Sequence, residues 1–392
     1  MFADHAVNPK YLTRNQPFIC SFLTSLGGSV AIFGLTFRCV DLKATPLELG
    51  LLGTAFLGAY ACSAGVSSRI RKGLGERLML AVLPVSGLIL LAPLGLEWSP
   101  RYQILRLGLY GLATGFFWPT LYGYVARIRI RGGLFEATGR FNLSWGIAGC
   151  LLGPALSGIL YEQGIIWPFV FAMGCLLVVL LLVLLIPPPP EIDEKSAHPE
   201  TAHVKPYVAR AFLYILRMAG FVAFFCIGGA NFLFPKLASI RGISPKSVGM
   251  LFFISGLGVV GLLLLMKRTR FWHYAIWPVL AVQGGLILAM LMLGFADRWI
   301  WTVAAMILVG VARGVIAHSS IYYSLAAPGD RAKSGGVNEV FLASGNFAGP
   351  VIGGLFASVT GSLSVAFALG AVVILIGIFH QLIIHHYVRN ME

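Results

Sequence analysis

The chain has 392 residues, of which 58% are hydrophobic and 11% charged, and a mean hydropathy of +0.84. Soluble domains carry roughly 25% charged residues, so a water-exposed surface is excluded and a lipid-embedded protein remains. The formal net charge of +14 is spread over short loops between apolar runs and not gathered on one face, which excludes nucleic acid as a partner and marks control of membrane topology.

Within lipid every backbone polar group must pair internally, so spans are helices or closed barrels. The apolar runs are long and continuous, without the ten-residue alternation of a barrel strand. A span needs about 20 mainly apolar residues. With that window the first half predicts helices at Phe18–Phe37, Leu47–Val66, Leu78–Leu96, Ile104–Val125, Phe141–Tyr161 and Trp167–Ile186. A hydrophilic stretch follows, Pro187–Pro206, whose four leading prolines end the sixth helix and whose mixed charges read as a flexible linker. Six more helices are predicted at Phe212–Phe234, Val248–Met266, Tyr274–Phe295, Ile300–Tyr323, Val337–Val359 and Leu363–Ile384. The expected organisation is an all-α membrane protein of twelve spans: residues 1–186, a linker at 187–206, and residues 207–392.

An even count puts both termini on one side. The basic loops Arg69–Lys72, Arg127–Arg131 and Lys267–Arg270 each join an even span to the next odd one, whereas the opposite loops are nearly balanced. The positive-inside rule then expects both termini and the linker in the cytoplasm. The N-terminus is polar as far as Gln16 and the first apolar run is full-length, so an uncleaved signal anchor is expected in place of a cleaved leader. The six cysteines form no C-x-x-C pair and read as small hydrophobes; neither a metal nor a cofactor is expected.

The two halves repeat each other. In the fifth span Gly139, Asn142, Gly149, Gly153-Pro154 and Gly158 follow in order; in the eleventh Gly335, Asn338, Gly345, Gly349-Pro350 and Gly353-Gly354 do the same. The entry Thr45-Pro46 to Gly50 matches Ser244-Pro245 to Gly249, and Gly111 to Gly115 matches Gly310 to Gly314. Duplicated halves of this kind are a transporter pattern.

On these residues the chain resembles the major facilitator superfamily over nearly its whole length. The run from Gly149 through Gly153-Pro154 to Gly158 is similar to that superfamily's fifth-helix Gly-Pro motif, whose bearers are often exporters or antiporters. The run from Gly111 to Trp118-Pro119 is similar to its fourth helix, with Arg106 near the arginine of that helix. The loop Ser68–Arg77 departs from the superfamily's pattern between helices two and three: only Gly75 and Arg77 fall into place and the aspartate is absent. The resemblance implies two six-helix bundles, a monomer, and secondary transport of a small solute by alternating access across a plasma or cytoplasmic membrane. Rival classes lack their signatures: there is no Gly-Lys dipeptide for a phosphate-cradling loop, no H-E-x-x-H and no G-x-S-x-G. A non-transporting receptor or assembly protein on the same fold is the alternative, because a fold does not dictate a function.

Arg313 falls near mid-membrane, where a charge persists only beside a wet cavity or a partner. It shares a helical face with Ala317, Ser320 and Ser324, which together predict a cavity lining, while His318 falls on another face and reads as packed. Arg106 reads equally as cavity residue and interfacial anchor. Trp118 and Tyr122 read equally as substrate platform and core packing. Gly149, Gly153-Pro154, Gly345 and Gly349-Pro350 make stripes almost bare of side chains, read as a sliding seam between the halves. Asn142, Asn338 and Glu339 are expected at the cytoplasmic gate, Glu339 in a salt bridge near Arg331 and Lys333.

Overall fold

The computed structural model describes residues 9–127, 133–185, 206–269, 272–326 and 331–389. Among them the chain forms twelve helices and no strand. In the first half these are α1 (Pro9–Asp41), α2 (Pro46–Leu74), α3 (Glu76–Leu90), α4 (Pro100–Arg127), α5 and α6 (Trp167–Leu185). Helix α5 runs as Gly133–Trp145, a π-helical stretch Gly146–Leu152, and Gly153–Gln163. The second half holds α7 (Pro206–Ile240), α8 (Pro245–Arg268), α9 (Trp277–Phe295), α10 (Trp299–Ala326), α11 (Arg331–Thr360) and α12 (Leu363–Arg389). Ten of these are long and apolar enough to cross a membrane. Most of the linker, with Arg129, Arg131 and Arg270 of the basic loops, lies outside the described residues.

Several helix ends are set by local chemistry. Thr45 caps α2 in a reciprocal box with Glu48, and Pro46 occupies the first turn, where its missing N–H costs nothing. Ser244 caps α8, and Pro245 opens its first turn in the same way. Between α2 and α3 the chain turns at Gly75 with φ +81°, a conformation that disfavours any side chain. There Arg71 and Glu76 stand 3.9 Å apart as an ion pair, although the loop lacks the superfamily's aspartate. The π-helical stretch precedes Pro154, whose absent N–H leaves the ladder one bond short.

The duplication governs the packing. Helix α1 packs on α5 and α6, α2 on α4, and α3 on α4 and α6; α7 packs on α11 and α12, α8 on α10, and α9 on α10 and α12 in the same arrangement. The halves meet where α2 lies on α11 and α5 on α8. Helices α3, α6, α9 and α12 turn large apolar side chains outward, among them Ile89, Leu181, Leu288 and Phe379, as a lipid-facing surface requires.

At the end of the bundle away from the termini, one arginine in each half ties loops down, Arg38 near the end of α1 and Arg241 just past the end of α7. Arg38 donates to the Leu96 carbonyl at 2.8 Å and pairs with Glu97. Arg241 donates to the carbonyls of Leu293 and Gly294 at 2.8 Å each and faces Asp297 at 4.0 Å. Arg38→Ala strips a buried carbonyl of its donor and is expected to lower stability by about 1–3 kcal/mol. A drop in melting temperature of purified protein checks this; an unchanged value contradicts the clamp.

Candidate functional site

A cavity of about 400 Å³ lies between the halves, lined by α1, α2, α4 and α5 from one and α7, α8, α10 and α11 from the other. The remaining four helices stay out of it. Its first-half wall carries most of the cavity's aromatic rings, among them Tyr60 on α2, Tyr110, Trp118 and Tyr122 on α4, and Trp145 on α5. Trp118 and Tyr122 pack against Phe141 with ring centroids 5.8 and 4.6 Å away. Tyr122 keeps 47% of its surface exposed, so this face is a platform open to the cavity. Asn142 also lines it and accepts a hydrogen bond from the Trp145 indole at 3.1 Å.

The second-half wall carries the charge. Arg313 on α10 and Glu339 on α11 line the cavity, and among the described residues they are its only charged ones. Among the described residues neither has an ion-pair or hydrogen-bond partner. The repeat places Thr114 and Leu143 at the corresponding first-half positions, so the charge is not duplicated. Glu339 sits two turns into α11 and faces the cavity. That differs from the expected gate salt bridge, because α11 begins at Arg331 and carries position 339 inward.

Other expected residues lie elsewhere. Ser320 and Ser324 are buried and are not part of the lining of the central cavity. The polar face predicted for α10 turns against α11 there: Asn338 donates to the Ser320 hydroxyl at 3.4 Å, and Ser320 donates to the Ala317 carbonyl at 3.1 Å. Asn338 is therefore a helix-to-helix contact inside one half, unlike its repeat partner Asn142. Arg106, 4% exposed, donates to the carbonyls of Leu90 and Ala92 at the end of α3 and does not line the cavity. It closes the unpaired carbonyls of a fifteen-residue helix. His318 packs edge-on against Trp272, with ring centroids 5.3 Å apart.

The glycine stripes need a larger correction. A Cβ at Gly149 or Gly153 meets Ser25 or Ser29 of α1, and one at Gly345 or Gly349 meets the carbonyl of Phe221 or Phe225 of α7. The four glycines of these stripes pack within each half, whereas Pro154 and Pro350 stand at the contact between the halves. The contact between halves runs beside the stripes, where Gly256 of α8 abuts the Cys150 carbonyl and Thr54 of α2 donates to the Phe347 carbonyl at 2.7 Å, and continues to both helix entries. Gly50 of α2 abuts the carbonyl of Pro350 on α11, and Gly354 abuts the carbonyl of Pro46. Related by the repeat, Gly249 of α8 abuts the carbonyl of Pro154 on α5, and Gly158 that of Pro245. Each seam is closed by a side chain that bonds the first turn of the facing helix: Ser358 accepts from Leu47 N–H at 3.0 Å, and Glu162 accepts from Lys246 N–H at 3.0 Å. Lys236 adds a bond to the Ala44 carbonyl. The contacts at the helix entries lie at the end opposite the termini. The Pro-x-x-x-Gly pattern at the entries to α2 and α8 is the sequence signal for this seam.

Two six-helix halves around a central cavity, touching through paired glycine seams, are the architecture of a transporter in which one half rocks on the other. The sequence profile of the Major Facilitator Superfamily matches residues 17–327, and the chain belongs to that superfamily: it is a secondary transporter that moves a small solute by alternating access, and not an enzyme. It is similar to the quinolone resistance protein NorA of Staphylococcus aureus, at 25% identity over 85% of this chain and 87% of that protein. Among solved structures it is similar in fold to the nucleoside transporter NupG, at 16% identity and a TM-score of 0.70 over 95% of this chain and 99% of that one. A bacterial homologue of the human lysosomal transporter Spinster, inward-facing and occupied, aligns with a TM-score of 0.67 at 14% identity, covering 98% of each chain.

Proposed function

We propose that this protein exports small, partly aromatic organic solutes from the cytoplasm, with both termini and the linker on the cytoplasmic side. The observation that carries the reading is the central cavity: aromatic on one wall, charged on the other, and closed at the end away from the termini by two matched seams. With the termini cytoplasmic, this arrangement is an inward-facing one, ready to load solute from inside. The similarity to a quinolone resistance protein and the Gly-Pro motif of α5 support export of amphipathic aromatic compounds. The cavity is complete within one chain, which supports a monomer as the working unit.

Inverted membrane vesicles carrying the protein are expected to accumulate a fluorescent quinolone when only an ion gradient is imposed. Strict dependence on ATP, or no accumulation above empty vesicles, overturns the proposal. Reporter fusions at Glu194 and after Arg389 are expected to read as cytoplasmic, following the loop charges. An external signal from either overturns the twelve-span map and the orientation that rests on it.

A further inference from the structure

The central cavity holds two opposite charges that do not satisfy each other. Arg313 and Glu339 both line it, yet neither takes part in any ion pair within 4.0 Å among the described residues. Charges at this depth are costly unless solvated or paired, and they pair best with a charged group brought in by the solute. A solute with one charge, of either sign, leaves the other protein charge unmatched when the cavity closes around it. Only a solute with both charges matches both.

The surroundings differ at the two ends of this pair. Tyr60 and Tyr122 line the same cavity as Glu339, so a cation there meets a carboxylate and aromatic rings together. Trp118 and Tyr122, their rings tilted by 46° to each other, lie on the half that carries no cavity charge.

Resting on the export reading above, we propose that the preferred solutes are aromatic zwitterions, with Glu339 receiving the cationic group, Arg313 the anionic group, and the Trp118–Tyr122 platform the ring. Four forms of one scaffold test it by calorimetry on the purified full chain: a piperazinyl quinolone carboxylic acid (zwitterion), its methyl ester (cation), its N-acetyl derivative (anion) and the doubly blocked compound (neutral). The zwitterion is expected to bind about 10-fold or more tightly than either singly charged form. Glu339→Gln should reduce the zwitterion to the affinity of the N-acetyl form and leave that form unchanged. Arg313→Gln should reduce it to the affinity of the ester and leave the ester unchanged. Equal binding of all four forms overturns the charge pairing while the export reading stands. Equal binding of ester and zwitterion removes Arg313 from recognition, and equal binding of N-acetyl form and zwitterion removes Glu339; either overturns the proposal. Loss of all binding by Glu339→Gln, the neutral form included, assigns that residue to structure and also overturns it. If none of the four binds, the aromatic-solute reading fails with it.

Discussion

Arg313→Ala is expected to abolish transport while leaving a monodisperse, correctly inserted protein. The side chain lines the cavity and bonds to nothing among the described residues, so its removal strands no partner and costs little stability. Its loss removes the one cationic group that the described residues place in the cavity. A charge-assisted bond is worth about 1.5–3 kcal/mol, or about 10- to 100-fold in affinity. Arg313→Lys should rescue in part, since lysine keeps the charge but offers a point donor in place of a planar fork. His318→Ala should be mild for transport, because that ring packs against Trp272 and is absent from the lining. Cysteine labelling separates this account from a structural one. With Cys62 and Cys150 replaced by serine, a cysteine at 313 should react with a water-soluble thiol reagent and be protected by solute. A cysteine at 320, where serine is fully buried, should not react. No reaction at 313 under any condition makes Arg313 structural.

Gly249→Leu and Gly50→Leu are expected to hold the transporter away from the arrangement described here. A Cβ at Gly249 falls 2.5 Å from the Pro154 carbonyl, and one at Gly50 overlaps the Pro350 carbonyl. Backbone cannot yield there as a flexible side chain would, so the seam must part. Transport should fall by more than about tenfold, as tight helix contacts are intolerant of bulk. In the same cysteine background, a cysteine at Ile32, which lines the cavity, should become reactive from the face opposite the termini. Unchanged transport and labelling in the double variant would contradict a seam that opens and closes. Gly153→Leu should act differently: its Cβ meets Ser29 within the same half, so lost stability is expected before any shift in which face is open.

The span count, the twofold repeat and the superfamily are legible in the chain because they depend on local properties. Apolar length decides which segments enter lipid, and the spacing of glycine and proline is a property of one helix at a time. The mid-membrane position of Arg313 is legible for the same reason, since it needs only a count of residues along α10. What a helix face meets is a different question, because eight helices bring their faces together from distant parts of the chain. Ser320 shares a face with Arg313, yet Asn338 of α11 covers it. Arg106 is open to two readings in the sequence, and only the carbonyls exposed at the short end of α3 decide between them. The glycine stripes are visible as bare surface, but a bare surface does not name its partner: α1 and α7 take the stripe glycines, and the halves meet beside them, where Pro154 and Pro350 face Gly249 and Gly50. Glu339 shows the widest gap between the two levels. A position near the start of a helix reads as a gate, and only the inward path of α11 puts its carboxylate in the same cavity as Arg313. Periodicity fixes direction around one axis; which neighbour fills that direction is a property of the packed bundle.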